Sequence, residues 1–308
     1  METKSLVLGS FVVDLMARTS HLPVPGETVK GSGFQMGPGG KGFNQAVAAH
    51  KAGADVTLAT KLGKDGFADI ALSLMNELGM RQDYVFRSCS QNTGCALIMV
   101  GEDTSQNEIV VVPGAGLNFN SEEVNLLKSV IEESKYLLMQ LEINMDAMML
   151  AAAYALKHKT KVILNPAPAA DIPEKLWSML DMVIPNEVEA EYYTQIPVRT
   201  EEDAAKAADW FHGKGVKHVV ITLAERGAYL SGGGYRRFIP AFCVDAVDTT
   251  GAGDAFCGGL LTALSEGLEL PAAVCFANAT AALSVKKTGT APSMPERDEI
   301  LKLVGNIV

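Results

Sequence analysis

Asp254 ends the segment with the clearest capacity for chemistry, Asp248-Thr-Thr-Gly-Ala-Gly-Asp254. Gly251 and Gly253 allow backbone conformations closed to other residues. A helix is predicted to start near Asp254, and its first N–H groups and positive dipole end make an anion hole. That hole suits the charge of a transferring phosphoryl group, and Asp254 would accept a proton from an attacking hydroxyl. The alternative is an ordinary Asp N-cap.

A second glycine-rich segment, Gly37-Pro-Gly-Gly-Lys41-Gly-Phe-Asn44-Gln, leads into a predicted helix over 43–52. Its glycines let the backbone approach a small polar ligand closely, and Lys41 and Asn44 offer donors. It is not a P-loop, because Gly42 follows Lys41 where that motif requires Ser or Thr. The first strand has only Gly9 and lacks G-x-G-x-x-G, which disfavours a dehydrogenase. The alternative here is a glycine turn without a ligand.

A third segment, Pro185-Asn186-Glu187-Val188-Glu189, places an amide and two carboxylates between a predicted strand and a helix. Carboxylates beside a phosphate site are explained if Mg²⁺ and its waters lie between them. The competing explanation is that acidic residues favour a helix N-terminus.

Polar residues also end four apolar strands, and the carboxyl ends of parallel strands meet at one edge of a sheet. These residues are Glu142, Asn165, Asn186 and Thr222. Each alone is as well explained by a turn or a helix cap, but together they predict a polar crevice.

The elements that must position these residues alternate regularly between short Val, Ile and Leu runs and helical patterns. Apolar runs occur at 5–9, 56–60, 136–141, 161–164, 182–185 and 218–222, and helices are predicted over 43–52, 67–78, 121–133, 144–158, 201–213, 254–266, 271–286 and 295–304. This pattern predicts an α/β fold, in which a mostly parallel sheet is covered by helices on both faces as a three-layer core.

Two segments interrupt the alternation, at about 12–37 and 92–114. Each reads as extended chain beside candidate site residues, the second as two strands joined by the polar loop GEDTSQN. We predict a single domain over 1–308 with a small inserted β-sheet lid. A hairpin extension of the main sheet is the alternative.

The composition excludes several classes of protein. The chain has 308 residues and a net charge of −10 with no basic run, so we expect no nucleic-acid partner and no anionic membrane surface. Its N-terminus reads as a strand and not as a signal peptide, and no apolar run reaches the length of a bilayer span. Five cysteines without a C-x-x-C pair fit free thiols in a cytoplasmic protein.

Several segments together resemble the ribokinase (PfkB-type) carbohydrate kinases, nearly from end to end. They are GSFVVD, PGETV, GGKGFNQAVAA, MQLE, LNPAPA, PNEVEAE, DAAKAA, VITLAERG, VDTTGAGDAF and KKTGTAPSMP. The resemblance implies an α/β kinase core with a β-sheet lid, and a homodimer formed through paired lids. It also implies ATP, Mg²⁺ and a monovalent cation, K⁺, as cofactors.

The resemblance assigns roles residue by residue. Sugar binding falls on Asp14, Gly40, Lys41, Asn44, Glu142 and Asp254, and catalysis on Asp254 with Gly251, Ala252 and Gly253 of the anion hole. Asn186 and Glu189 match the N-x-x-E motif linked to Mg²⁺ and phosphate, while Thr222 to Gly227 and Asn278 match ATP-binding positions. Asp248, Thr250, Ser284, Lys287, Gly289 and Ser293 match the monovalent cation site.

The implied reaction transfers the γ-phosphate of ATP to the 5-hydroxyl of D-ribose, giving ribose 5-phosphate. One departure bears on the sugar, because Val12 occupies a position where the family's ribose kinases usually carry Asn. An apolar side chain cannot replace the amide's hydrogen bonds, a change worth about 1–3 kcal/mol in selectivity. The alternatives are 2-deoxyribose, another sugar or a nucleoside as acceptor, and a non-catalytic sugar-binding regulator. Asn278, where His is common, is expected to be tolerated.

Overall fold

A computed structural model describes residues 4–103 and 106–305; Thr104 and Ser105 of the loop predicted between two strands lie outside the described residues. The strands, in chain order, are β1 (Ser5–Leu8), β2 (Val12–Thr19), β3 (Gly33–Gly39), β4 (Val56–Leu62), β5 (Val85–Arg87), β6 (Thr93–Gly101), β7 (Asn107–Gly114), β8 (Tyr136–Gln140), β9 (Lys161–Asn165), β10 (Met182–Val183), β11 (His218–Thr222), β12 (Gly227–Gly232) and β13 (Tyr235–Pro240).

The helices, again in chain order, are α1 (Lys41–Lys51), α2 (Gly66–Glu77), α3 (Ser121–Leu126), α4 (Lys128–Glu133), α5 (Met145–His158), α6 (Glu174–Trp177), α7 (Glu187–Thr194), α8 (Glu201–Gly213), α9 (Ala252–Glu266), α10 (Leu270–Ser284) and α11 (Arg297–Val304). In the described part of the chain, none of them is both long and apolar enough to cross a membrane.

The larger sheet has nine strands within the described residues, in the order β13-β12-β11-β10-β9-β8-β1-β4-β5. All neighbours from β11 to β5 are parallel, and β12 and β13 are antiparallel additions at one edge. Since β1 pairs with both β4 and β8, the chain winds outward in two directions from this point. Sheets of this kind bind ligands outside the carboxyl ends of the strands near such a switch.

Alternate residues of the central strands enter two separate apolar clusters. In β1, Val7 packs into a cluster with α1, α2, α9 and α10, whereas Leu6 and Leu8 pack into a second cluster with α3, α5 and α8. Both faces of the sheet are therefore covered, and the expected three-layer α/β fold is confirmed.

A second sheet of four strands, counted over the described residues, has the order β3-β2-β6-β7. It is built from the two segments that interrupt the alternation. Its antiparallel β6–β7 hairpin leaves Ile109 54% exposed and Val110 59% exposed. The expected small separate sheet is thus present, and its role as a lid stays a prediction.

Two details of the predicted elements were wrong. The single helix expected over 121–133 is divided into α3 and α4, because Leu127 bonds back to Val124 in a tight i−3 turn. The β12–β13 hairpin was not predicted, because β12 has only three consecutive apolar residues between glycines, while β13 is partly exposed and carries polar residues such as Arg236 and Arg237.

Candidate active site

Asp254 is the third residue of α9 and is 6% exposed. Its Oδ2 accepts a hydrogen bond from Asn44 Nδ2 at 3.0 Å, and its Oδ1 accepts one from Gln45 Nε2 at 2.9 Å. Both amides come from the first turns of α1, which packs against α9. The two carboxylate oxygens are therefore held in one fixed orientation at a helix start.

The glycines before Asp254 serve different purposes. Gly251 caps α9 with φ +80°, a left-handed conformation that favours glycine. The expectation that Gly253 also needs a glycine-only backbone was wrong, because it lies in the first turn of α9 without a positive φ. Apart from its chain neighbours and the backbone of its own helix, no heavy atom of the described residues lies within 4 Å of a Cβ built at Gly253, so this glycine leaves open space in front of the helix.

The predicted anion hole has fewer available N–H donors than the sequence indicated. The N–H of Ala252 already donates to the carbonyl of Thr249 at 3.2 Å. The N–H groups of Gly253 and Asp254 have no hydrogen-bond acceptor among the described residues. These two groups, at the positive end of the α9 dipole, are the donors that can receive an anion.

Glu142 fixes the second glycine-rich segment to the end of β8. Its Oε2 accepts hydrogen bonds from the backbone N–H of Lys41, at 2.9 Å, and from the Ser10 hydroxyl. Gly40 turns with φ +91°, and a Cβ there would lie 2.8 Å from the Phe11 Cα. The turn from β3 into α1 thus depends on both this carboxylate and this glycine.

Asp14 lies on β2 close to two other carboxylates. Burial, followed by the negative charges of Glu142 and Asp254, raises the pKa of Asp14 to about 6. A carboxylate with a raised pKa in a crevice is typical of functional sites, because ligand contacts can offset the cost of burying its charge.

The Lys41 ammonium lies among the same acids. Burial opposes its charge, but the negative charges of Asp254, Glu142 and Glu189 outweigh burial and raise the pKa of Lys41. It makes no ion pair within 4 Å across the described ranges. A fixed positive charge without a close partner is suited to bind an anionic ligand.

Asn186 and Glu189 form a reciprocal cap at the start of α7. Asn186 Oδ1 accepts from the Glu189 N–H at 2.8 Å, and Glu189 Oε2 accepts from the Asn186 N–H at 2.9 Å. Asn186 also forms a bridge to Thr222 at the end of β11. Burial raises the pKa of Glu189. The motif therefore does cap a helix, as the competing explanation predicted. The same cap holds the Glu189 carboxylate beside the ends of the strands.

One cavity of about 180 Å³ brings nine of the predicted residues together. They are Lys41, Asn165, Asn186, Glu189, Thr222, Gly251, Ala252, Gly253 and Asp254. Asn44 and Glu142 join the cavity through their hydrogen bonds to Asp254 and Lys41.

Gly227 and Asn278 do not line this cavity. The Asn278 amide is turned away, donating to the carbonyls of Ile239 and Pro240 at 3.1 and 3.0 Å. Gly227 faces the same backbone, which a Cβ would strike. Both residues shape the β12–β13 hairpin beside the site.

The residues predicted to hold a monovalent cation are only partly gathered. The Asp248 carboxylate accepts from the N–H groups of Thr250 and Gly289, both at 3.0 Å, and so joins two loops. Burial favours protonation of Asp248, but these hydrogen bonds outweigh it and lower its pKa. Ser284 and Ser293 donate to nearby carbonyls, and the Lys287 ammonium lies 3.2 Å from Glu299 on α11.

Sequence reasoning missed the roles of Gln45 and Gln140. Gln45 follows Asn44 inside a quoted motif, and Gln140 ends the otherwise apolar strand β8. The available signal was a glutamine within an otherwise apolar run. Such a residue is expected to be buried, as Gln140 is, and a buried amide needs hydrogen-bond partners.

A larger groove of about 660 Å³ lies at the opposite edge of the sheet, where β4 begins. Its arginines are already paired, Arg81 with Asp55 and Arg297 with Glu266.

Residues 2–297 match the model of the pfkB family of carbohydrate kinases, and the chain belongs to this family. It is therefore a sugar kinase. Ribokinase of Haemophilus influenzae is 40% identical over 298 residues, covering 97% of each chain. Deoxyribokinase of Salmonella typhimurium is 35% identical over 294 residues, covering 95% of this chain and 96% of its own.

Solved structures agree with this assignment. Ribokinase of Thermotoga maritima has a TM-score of 0.90 and 35% identity, covering 99% of this chain and 100% of its own. Arabidopsis thaliana ribokinase, complexed with ribose and ATP, has a TM-score of 0.90 and 30% identity over 99% of both chains.

Proposed function

We propose that this protein transfers the γ-phosphate of ATP to the 5-hydroxyl of D-ribose. The observation that carries the proposal is the pairing of the buried, oriented Asp254 carboxylate with two N–H groups at the start of the same helix that have no acceptor among the described residues. A base and an anion hole this close are what phosphoryl transfer to an alcohol requires. Relatives named as ribokinases, one of them complexed with ribose and ATP, support ribose as the acceptor and ATP as the donor.

The sugar would lie between the second sheet and the cavity. Asp14 and Glu142 accept hydrogen bonds from its hydroxyls, and Asn44 Oδ1 is a buried acceptor without a partner in the described residues. A sugar hydroxyl can satisfy this orphaned oxygen, since an unpaired buried polar atom is costly.

The protein's own groups divide the chemical work. Asp254 takes the proton of the attacking hydroxyl, while the N–H groups of Gly253 and Asp254 and the Lys41 ammonium stabilise charge on the transferred group. These groups are positioned before substrate arrives, so little reorganisation accompanies the reaction.

Two places in the structure could receive the implied cations. Mg²⁺ would be held with ATP near Glu189, whose carboxylate lines the cavity, and when bound it would neutralise phosphate charge. K⁺ would be held where Asp248 joins the loops of Thr250 and Gly289, supplying positive charge beside the start of α9.

A second acceptor, 2-deoxyribose, is favoured by Val12. This side chain lies two residues before Asp14 on β2, on the same face, opposite Gly39 and Gly94. It is 6% exposed and offers no hydrogen bond to a hydroxyl. A relative named as a deoxyribokinase is consistent with this choice.

The second sheet would act as a lid and as a dimer contact. Phe34, Met36, Leu97 and Val110 are exposed apolar residues that share one face of this sheet. Such a patch is typical of a protein interface, and we propose a homodimer formed through it.

The function is tested by coupled measurement of ADP release with ribose, 2-deoxyribose, fructose and a nucleoside, with and without K⁺. We expect sugar-dependent turnover that requires Mg²⁺, with the highest kcat/KM for ribose. A higher kcat/KM for 2-deoxyribose would replace ribose as the acceptor. Failure of every sugar would refute the proposed reaction.

A further inference from the structure

Three buried amides form a continuous hydrogen-bonded chain behind Asp254. Gln140 Nε2 donates to Gln45 Oε1 at 2.6 Å, and Gln45 Nε2 donates both to Asn165 Oδ1 at 3.0 Å and to Asp254 Oδ1 at 2.9 Å. Gln45 and Gln140 are fully buried, and neither lines the cavity. Through Gln45, the hydrogen-bonded amides therefore contact the Asp254 carboxylate from its buried side, away from the cavity.

The direction of this chain is set by the backbone. Asn165 Nδ2 donates to the carbonyl of Ile184 at 2.8 Å, so its Oδ1 must face Gln45 as an acceptor. Gln45 must then present its NH₂ group to both Asn165 and Asp254, and its oxygen to Gln140. A flipped Gln45 amide would place oxygen against oxygen at both contacts.

Glycines leave the space that these hydrogen-bonded amides occupy. A Cβ at Gly9 would overlap Gln140 Oε1 and would also lie 2.6 Å from the Gly42 Cα. The glycines that end β1 and begin α1 thus permit a glutamine at the end of β8. Gly9 and Gly42 thus leave the space, and the Gln140 amide fills it.

Resting on the proposed function, we infer that Gln45 is a positioning residue for the Asp254 base, held in its donating orientation by Gln140, Asn165 and Ile184. Its hydrogen bond fixes the rotation of the carboxylate without adding a net charge. Asn44 donates to the other oxygen, but its own Oδ1 has no partner among the described residues, whereas both amide atoms of Gln45 are hydrogen-bonded. Gln45 acts through Asp254 and makes no contact with substrate.

The test compares Gln45→Leu with Gln140→Leu in the full-length protein. Gln45→Leu removes the donor to Asp254, and we expect kcat to fall about 10–100-fold while the KM values for sugar and ATP change less than about threefold. Gln140→Leu keeps that donor and removes only its support, so a smaller loss, about two- to fivefold, is expected.

A purely structural role would give a different result. It would lower the unfolding free energy of Gln45→Leu but leave kcat per folded molecule as in the wild type, which would overturn the inference. If Gln45→Leu does not fold, Gln45→Met, which keeps the length of the side chain, carries the same expectations and the same contrary result.

The proposed function is judged separately in the same experiment. If the wild type turns over sugar and Asp254→Asn does not, a normal Gln45→Leu variant overturns the positioning role alone. If the wild type shows no sugar-dependent turnover, the proposed reaction fails and the role of Gln45 fails with it.

Discussion

At the scale of single residues, the site sets several carboxylates around one ammonium. Asp14, Glu142, Glu189 and Asp254 all influence one another or Lys41 through their charges. Concentrating like charges in a buried crevice destabilises the free protein, and ligands that bring hydroxyls and cations relieve it. Because the pKa of Asp14 is raised, the cost of its charge appears as a pH dependence of the unfolding free energy.

Replacing Asp14 with Asn should stabilise the ligand-free protein at pH 8 and weaken sugar binding. Because the pKa of Asp14 is raised from its ordinary value of 3.8 to about 6 in the folded protein, its ionised form costs stability as the pH rises above about 4, and the full cost is present above pH 6. We expect a gain of about 1–3 kcal/mol in unfolding free energy at pH 8, shrinking as pH falls from 6 to 4. Urea denaturation at several pH values measures it.

The matched control is Asp103→Asn, which changes an exposed carboxylate in a turn. It should alter stability by less than about 0.5 kcal/mol at every pH. A stability difference for Asp14→Asn that stays constant between pH 8 and pH 4 would contradict the account of its burial.

At the scale of elements, the proposed chemistry centres on the start of α9. Gly251 provides the left-handed cap, and the open space beside Gly253 keeps the first N–H groups accessible. The sequence predicted this helix to within two residues, because its glycines and apolar periodicity are local signals. It could not distinguish the two glycines, since their roles depend on the space around each one.

Alanine at these two glycines should separate the two roles. Gly251→Ala forces a side chain into a left-handed conformation and should cost about 1–2 kcal/mol of stability. Gly253→Ala should leave the unfolding free energy nearly unchanged, because its backbone is helical, but lower kcat/KM for ATP by placing a methyl group in the cavity. Thermal denaturation and steady-state kinetics give the two readouts.

The reverse pattern would contradict this assignment. A stable Gly251→Ala variant with poor ATP use would mean that Gly251 serves the cavity and not the helix cap. An unstable Gly253→Ala variant with normal kinetics would mean that Gly253 serves the fold and not the cavity.

At the scale of the whole molecule, two windings of one sheet and a separate small sheet converge on the same edge. The alternation of strands and helices was sufficient to predict the α/β core, and two interruptions of that alternation located the second sheet. The sequence pattern did not give the antiparallel β12–β13 edge, because it lacks a continuous apolar run. It also did not show that Gln140 on β8 contacts Gln45 on α1, because 95 residues separate them.

The exposed face of the second sheet should hold two copies of the chain together. Val110→Asp places a charge on that face, and we expect a shift from dimer to monomer in analytical ultracentrifugation. Leu126→Asp on α3 is the control, because Leu126 is 64% exposed but lies outside this sheet. A wild-type monomer, or a Val110→Asp dimer as stable as the wild type, would refute the interface.

The central claim is that Asp254 is the base that activates the sugar hydroxyl. The most direct test is turnover by Asp254→Asn, which keeps the size of the side chain and removes its ability to accept the proton. We predict that kcat falls about 10²–10⁴-fold while ATP affinity, measured by calorimetry, stays within about threefold of the wild type. Turnover close to that of the wild type, with the variant folded and saturated with both substrates, would contradict the account.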